Sequence, residues 1–300
     1  MENIILIKTQ SIEFIQGERK RDAVNIAHHA HVKIDDNAII NGVIIDDTSI
    51  KEALAELKSQ YDIEECILIL DSNKIIARSL VIPKMSKKRI IEHLKNEFAT
   101  LYEGDEEMLY DYGFIGEDEE IKRAVRILGV GIEKDLITTY LNLFESLEID
   151  VVDIDFSINI LIRLKEYLSN MTDGSFSITR VDGNEIISSV FSKGNYVLTT
   201  RNRIFSDISD TQSFGSDIVR AISQLQQFAN SPKNNAPFST VYFSGLSPDV
   251  SDLVCERISN ILEIESMMLP KAKGIYYDKE NEEEVSLNNY LNTLGYLIGE

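Results

Sequence analysis

The 300-residue chain has few cysteines and no long apolar run, and each scarcity excludes a class of protein. Its two cysteines, Cys66 and Cys255, lie inside apolar stretches, which excludes a disulfide framework like that of small secreted domains. No stretch approaches the roughly 18 consecutive apolar residues that a membrane-spanning helix needs. The first residues also lack the charged start and continuous apolar centre of a signal peptide. We therefore expect a cytosolic protein that does not insert directly into a membrane.

Positive charge is scarce as well, because 30 Lys and Arg face 50 Asp and Glu, for a net charge of −20. A field of this sign repels phosphates over the whole surface, which argues against nucleic acid or an anionic lipid surface as the main ligand. Hydrophobic residues make up 43% of the chain and can fill the core of two domains or of one large bilobal unit.

Familiar catalytic and metal-binding motifs are also missing. The chain contains no G-x-x-x-x-G-K-[ST], G-x-G-x-x-G, G-x-S-x-G or H-E-x-x-H sequence. The segment His28-His29-Ala30-His31 would place two imidazoles on one face of a strand, but two are one or two ligands short of a zinc site. We therefore expect no metal site and interpret these histidines as part of a polar strand or turn.

Strand and helix patterns alternate along the chain, which is typical of α/β architecture. The predicted strands are 4–8, 11–16, 39–45, 66–70, 75–82, 108–115, 121–131, 151–155, 176–181, 185–191, 195–200 and 239–243. The predicted helices are 49–60, 86–101, 135–147, 157–168, 216–229, 248–262 and 286–298, with Ser157 as a candidate cap of the fourth. The β-α-β-β-α order of the block that starts at 75 predicts a compact inserted subdomain. Residues 171–175 break the pattern and are interpreted as the hinge between two lobes.

Four cations surround the start of the predicted helix at 86–101. Ser86 is its expected N-cap, and Lys84, Lys87, Lys88 and Arg89 flank it. Cations are unfavourable at a helix N-terminus because the helix dipole prefers anions there. Two interpretations stay open: charge balance against the neighbouring acidic loops, or a docking site for an acidic segment of a partner.

Residues 81–116, VIPKMSKKRIIEHLKNEFATLYEGDEEMLYDYGFIG, resemble the signature region of the PilM family of type IV pilus assembly proteins. The matching features are Ile82-Pro83 at the end of a strand, Glu97 at the end of a helix and Asp111-Tyr112 in the next strand. Further matching positions follow at Tyr140, Leu143, Val151, Val152, Asp155 and Leu294-Gly295. The resemblance runs from about residue 4 to 298 and is strongest over 76–168.

The resemblance implies an α/β actin-like (ribonuclease H-like) two-lobed fold, with an inserted β-α-β-β-α subdomain in the first lobe and a reduced second lobe. The implied segments are 1–75 (first lobe, main part), 76–150 (insert), 151–172 (return to the first lobe), 173–268 (second lobe) and 269–300 (acidic loop and C-terminal helix). Proteins of this family are cytoplasmic and bind the cytoplasmic tail of the bitopic membrane protein PilN between the main part and the insert. They link the inner-membrane platform to the pilus motors.

Three loops depart from the pattern of actin-like ATPases, which use an acid and small residues in two phosphate hairpins and a glycine turn beside the adenosine. Lys8-Thr9-Gln10-Ser11 replaces the first loop. Arg180 stands near the expected acid of the second loop, with Asp182-Gly183 displaced by about two positions. The third loop keeps Ser244-Gly245 but continues with Leu246-Ser247.

The departures predict a non-catalytic pseudo-ATPase without a cofactor. The leading hypothesis is a scaffold that binds a PilN-like tail and that contacts the inner face of the cytoplasmic membrane through its partners. Lys84, Lys87, Lys88 and Arg89 are the candidate partner-binding residues. Two alternatives stay open: an active ATPase of the same fold that binds ATP and magnesium, with Asp182 as the residue most able to restore the site, and a filament-forming actin homologue.

Overall fold

Three sheets form the framework of the computed structural model, which describes residues 1–21, 23–101, 106–118, 121–168, 171, 174–277 and 284–299. The strands are β1 (Glu2–Ile7), β2 (Ser11–Lys20), β3 (Ala23–Lys33), β4 (Ile39–Ile40), β5 (Val43–Ile44), β6 (Glu65–Leu70), β7 (Ile75–Pro83), β8 (Met108–Glu117), β9 (Ala124–Glu133), β10 (Asp150–Phe156), β11 (Phe176–Asp182), β12 (Glu185–Ser192), β13 (Asn195–Arg203), β14 (Thr240–Ser244), β15 (Glu265–Met268) and β16 (Ile275–Tyr277). The helices are α1 (Thr48–Tyr61), α2 (Lys87–Ala99), α3 (Lys134–Glu145), α4 (Ser157–Tyr167), α5 (Thr211–Ala229), α6 (Pro248–Leu262) and α7 (Leu291–Gly299).

The first lobe is built on a six-stranded sheet of order β10-β6-β1-β2-β3-β16. Its central strand β1 is a continuous apolar run because both faces of the sheet are covered. Ile4 and Leu6 pack into a cluster with residues of α4 and α7, whereas Ile5 and Ile7 pack against α1 and α3. Successive side chains of β1 point to opposite faces of the sheet, so the one apolar strand contributes to two hydrophobic cores.

The insert interrupts the first lobe between β6 and β10 with the predicted order β-α-β-β-α. Its sheet has the order β7-β9-β8, and α2 covers one face. Gly129 and Gly131 of β9 make room for this helix. A Cβ at Gly129 would lie 2.4 Å from Leu94 Cδ2, and one at Gly131 would lie 2.9 Å from Phe98 Cδ2. The opposite face carries Leu128 and Val130 into the α4 cluster.

The second lobe is a five-stranded sheet of order β13-β12-β11-β14-β15, with α5 and α6 in its core. Tight turns join β11, β12 and β13, and Gly183, Lys193 and Gly194 in these turns all have positive φ. The C-terminal residues return to the first lobe: β16 pairs with β3, and Gly295 of α7 lies against Ile160 of α4.

Several predicted elements differ from the structure. The strand expected at 39–45 is a tight hairpin of β4 and β5, since Asn41 and Gly42 both have positive φ. The cap of α5 is Asp210, which accepts a hydrogen bond from the backbone N–H of Ser213, so the helix begins at 211 and not at 216. The Ser157 cap is wrong: Phe156 occupies the N-cap position and makes no side-chain cap.

The last helix also begins later than predicted, at Leu291 instead of 286. The hydroxyl of Ser244 donates to the carbonyl oxygens of Leu287 (2.9 Å) and Asn288 (3.1 Å), which holds this stretch against the second lobe. Sequence patterns missed β15 and β16. Residues 172 and 173 of the expected hinge and residues 278–283 of the acidic loop lie outside the described residues.

Glycine at 129 is expected to be required for the packing of the insert. Gly129→Ala should lower the free energy of unfolding by about 1–3 kcal/mol, because the added methyl group forces Leu94 out of its position. Urea denaturation measures the change. Gly116→Ala in β8 is the matched control: nothing lies within 4 Å of its Cβ, so the effect should stay within about 0.5 kcal/mol. Equal effects of the two substitutions would contradict this packing role.

Candidate functional site at the boundary of the lobes and the insert

The first two degenerate loops lie at hairpin tips that contact each other. Lys8-Thr9-Gln10-Ser11 joins β1 to β2, and Asp182-Gly183 lies at the β11–β12 turn. The backbone N–H of Thr9 donates to Oδ2 of Asp182 at 3.3 Å. The side chain of Gln10 covers Gly183, where a Cβ would lie 2.4 Å from Gln10 Oε1. Each hairpin tip therefore fills the space directly in front of the other tip.

The third loop, Ser244-Gly245, fastens the C-terminal segment to the second lobe. Besides the Ser244 hydroxyl bonds, the backbone N–H of Gly245 donates to Oδ1 of Asn288 at 2.9 Å. Gly245 has a φ of 83°, and a Cβ there would lie 2.0 Å from the carbonyl oxygen of Val181. Only glycine fits this close approach between β14 and β11.

Arg180, which stands near the expected acid of the second loop, belongs to a buried ion network between the lobes. Asp71, directly after β6, pairs with Arg180 through Oδ2 and with Arg201 through Oδ1 at 2.6 Å. Arg201 also pairs with Glu185 at 2.6 Å, and Glu185 accepts a hydrogen bond from the backbone N–H of Asn41. Both ends of the network thus join the first lobe to the second.

The charges of this network shift the ionisation of its members. Burial alone would raise the pKa of Asp71, but the positive charges of Arg201 and Arg180 outweigh it and hold that pKa below its ordinary value. Burial would lower the pKa of Arg180, and the negative charges of Asp71 and Asp182 raise it instead. Asp71 and Arg180 are therefore both charged at neutral pH.

Sequence reasoning missed Glu13, a buried acid in β2 beside the first hairpin. Oε1 of Glu13 accepts hydrogen bonds from the backbone N–H of Thr293 (3.2 Å) and from its hydroxyl (2.6 Å), at the start of α7. Lys8 Nζ lies 3.4 Å from Oε2. Burial would raise the pKa of Glu13, but the charge of Lys8 and interactions with His31 and Thr293 lower it to about 2. The signal was a lone acid within the apolar run SIEFI.

The histidine segment lies in β3, and its His29 and His31 contact the same side chain. Nδ1 of His29 lies 3.0 Å from the hydroxyl oxygen of Tyr290, and the ring of His31 stacks on the Tyr290 ring with centroids 4.3 Å apart. Among the described residues, no group of three or more His, Cys, Asp or Glu is arranged to hold a metal ion. The described helices also include none long and apolar enough to cross a membrane.

A cavity of about 890 Å³ lies where the insert, the second lobe and the helices α4 and α7 of the first lobe meet. Strand β7 forms its insert side, β11 to β13 form its second-lobe side, and the first residues of α4 and α7 close it. Of the degenerate-loop residues, Arg180 lines this cavity, whereas Thr9 and Gln10 line a separate cavity of about 170 Å³. The larger cavity therefore lies away from the hairpin tips.

Polar atoms without partners are concentrated in the larger cavity. Among the described residues, no hydrogen-bond partner lies near the buried hydroxyls of Ser79, Ser157 and Thr200, near Nε of Arg180, or near either amide atom of Asn292. Asn292 is only 1% exposed. Because an unsatisfied buried polar group costs about 1–3 kcal/mol, such groups are rare in folded proteins. These residues line the cavity, but the unpartnered atoms themselves are hidden from solvent, so a ligand reaches them only if the walls of the cavity move apart.

The four candidate partner-binding cations lie at the outer end of the insert, away from this cavity. Lys84 pairs with Glu117, and Lys87 Nζ lies 4.0 Å from Oδ1 of Asp111. Lys88 and Arg89 are exposed on the first turn of α2. All four are exposed within six residues at the start of α2, and their role in partner binding stays a prediction.

The acid Glu13 should make stability depend on pH at the acidic end. Its pKa in the folded protein, about 2, lies below its ordinary value of 4.5, so its contribution is present above about 4.5 and is lost as pH falls towards 2. This shift corresponds to about 3 kcal/mol. Urea denaturation over this pH range should show a smaller loss for Glu13→Gln than for the unchanged protein. Glu18→Gln in the same strand is the control and should keep the full loss.

The stability of the protein should depend on Asp71, the acid that both arginines of the interlobe network share. Asp71→Asn leaves Arg180 and Arg201 buried without their shared counter-charge, so the free energy of unfolding should fall by about 3 kcal/mol. Thermal or urea denaturation at neutral pH measures the effect. Asp111→Asn removes an exposed acid near Lys87 and should change stability by less than about 0.5 kcal/mol. A small effect at Asp71 would mean that the network does not hold the lobes.

Sequence comparison finds no relative: no family model matches the chain, and no curated protein matches it. Solved structures do match. The chain is similar to a PilM–PilN type IV pilus biogenesis complex, with a TM-score of 0.78 and 11% identity over 99% of this chain and 96% of the other.

Two further structures share the architecture more distantly. The cytoplasmic domain of EpsL, an inner-membrane component of the type II secretion system of Vibrio cholerae, gives a TM-score of 0.51 with 13% identity over 98% of this chain and 94% of that domain. A Bacteroides thetaiotaomicron protein with an actin-like ATPase fold gives 0.52 with 11% identity over 99% and 95%. The predicted fold class is confirmed: the chain has an α/β actin-like fold.

Proposed function

We propose that this protein is a non-catalytic cytoplasmic scaffold of a type IV pilus or related secretion machine, and that it binds the cytoplasmic tail of a PilN-like inner-membrane protein. The observation that carries the proposal is the similarity over nearly the full chain to PilM as found in a PilM–PilN complex. Through that tail the scaffold connects the membrane platform to the pilus motor ATPases.

The proposed tail site is the 890 Å³ cavity, which lies where the main part of the first lobe, the insert and the second lobe meet. Its volume falls within the range of about 300–1,000 Å³ that is common for ligand sites. The unpartnered groups of Ser79, Ser157 and Asn292 come from the insert, α4 and α7 respectively. A bound segment would therefore contact both parts of the first lobe.

The charge of the protein suits such a partner. Cytoplasmic segments close to a membrane-spanning helix are enriched in Lys and Arg. A protein with a net charge of −20 attracts a basic segment and speeds its encounter, although this attraction weakens with salt. The same field keeps the protein away from anionic lipid, so its position at the membrane depends on the partner.

The loss of catalysis is supported by the contacts of the three loops. Phosphates between the hairpin tips would have to displace Gln10 from Gly183 and Thr9 from Asp182. The carboxylate of Asp182, which would be needed for magnesium, accepts a backbone hydrogen bond, and Arg180 is held by Asp71. A nucleotide would thus have to compete with contacts that join the first lobe to the second.

Titration with a synthetic peptide of the PilN-like tail tests the proposal. We expect saturable binding in amide spectra, and a stabilisation of about 2.7 kcal/mol when the peptide is present at 100 times its dissociation constant. A peptide of the same composition in scrambled order is the control. ATP with magnesium should leave the melting temperature unchanged.

Two results would contradict the proposal. An amide spectrum that does not change at saturating peptide would rule out the scaffold function. Nucleotide that remains bound through purification, with turnover that is lost in Asp182→Ala, would establish the active ATPase instead.

A further inference from the structure

We propose that the segment bound in the 890 Å³ cavity adds as a β-strand to the open edge of β7, with β13 of the second lobe as the opposite wall. This inference rests on the proposed function and specifies how the tail is recognised. Recognition by strand addition relies on main-chain hydrogen bonds, and side chains on alternate positions supply the specificity.

The edge of β7 that faces away from β9 is open. Among the described residues, β7 pairs only with β9, and β13 pairs only with β12. An edge strand presents a row of unpaired backbone N–H and C=O groups, which proteins normally cover or blunt. Here both open edges border the same cavity.

The lining of the cavity shows that it is bounded by strand edges. A strand that lines a cavity with one face contributes alternate residues, because successive side chains point to opposite faces. Both strands instead contribute six consecutive residues, 75–80 of β7 and 196–201 of β13. Six residues of extended chain span about 20 Å, so a segment of similar length can pair along this edge.

The distance between β7 and β13 is too short for a further strand unless the lobes move apart. Some Cα atoms of β7 and β13 lie within 8 Å of each other, yet no backbone hydrogen bond joins the strands. Adjacent strands in a sheet are about 4.8 Å apart, so a segment that pairs with β7 and leaves the N–H groups on its other edge unpaired needs β13 to lie more than about 9.6 Å from β7. The tail therefore moves the second lobe slightly away from the insert as it binds, against the Asp71 network.

The side chains around the edge favour a polar, extended occupant. Ser79 of β7, Thr200 of β13 and Asn292 carry buried polar atoms without partners, which become accessible to the segment when the second lobe moves away from the insert. Arg78 and Lys233 are exposed at the cavity and form no ion pair with the described residues, so the part of the tail beside them presents carbonyl oxygens or an acid and its basic residues lie outside the cavity. A main chain with polar side chains satisfies these groups, whereas an apolar helix would leave them unpaired.

Backbone N-methylation of the tail peptide tests strand addition without changing the protein. Each methyl group removes one N–H donor and blocks one position of the edge. We expect about tenfold or greater loss of affinity at every second position, where the N–H faces β7, and little loss at the positions between. Loss that does not alternate would overturn the inference.

Hydrogen exchange on the protein gives an independent measurement. Saturating peptide should slow amide exchange in 75–80, while the open edge of β8, in the same small sheet, should exchange as before. Equal slowing of β7 and β8 would indicate general stabilisation of the insert and would contradict pairing at β7. An unmodified peptide that does not bind at all refutes the proposed function, whereas binding without alternation and without protection of β7 refutes only strand addition.

Discussion

The pairing of one carboxylate, Asp71, with two arginines of the second lobe is the interaction on which the arrangement of this molecule depends. It lies where the lobes face each other and gives both arginines a buried counter-charge from the first lobe. Because the network is buried, removal of one member leaves an uncompensated charge, which is far more costly than loss of an exposed pair. The contact between the hairpin tips and the shape of the cavity both require the closed arrangement that this network holds.

The sequence predicted the elements well where one pattern determined the structure. The apolar run of β1 and the helical spacing of α6 gave those elements with small errors. The errors arose where a distant contact decided the outcome: α7 begins at 291 because Ser244, more than forty positions earlier, holds 287 and 288. A hairpin at 41–42 was missed although Asn-Gly is a strong local turn signal.

The candidate site was only partly predictable for the same reason. The loops at 8–11, 182–183 and 244–245 were found through the resemblance to the PilM family and its actin-like fold, but their contacts with each other were not. Asp71 and Arg180 are separated by 109 positions, and neither carries a local signal of the pair. The unpartnered Asn292 is one polar residue in a largely apolar helix, and only the fold shows that it borders a cavity. Sites that break the rules of burial are where functional residues are expected.

The C-terminal segment has a mechanical consequence. The chain passes from the first lobe to the second between α4 and β11, and it returns between β15 and β16. Because two chain segments connect the lobes, the second lobe can rotate about the line that joins these segments but cannot translate freely relative to the first lobe. The hydroxyl of Ser244 adds a non-covalent link, because residues 287 and 288, which it holds against the second lobe, lie between β16 and α7 of the first lobe. A segment bound between β7 and β13 then limits that rotation. The angle between the lobes therefore depends on whether the segment is bound.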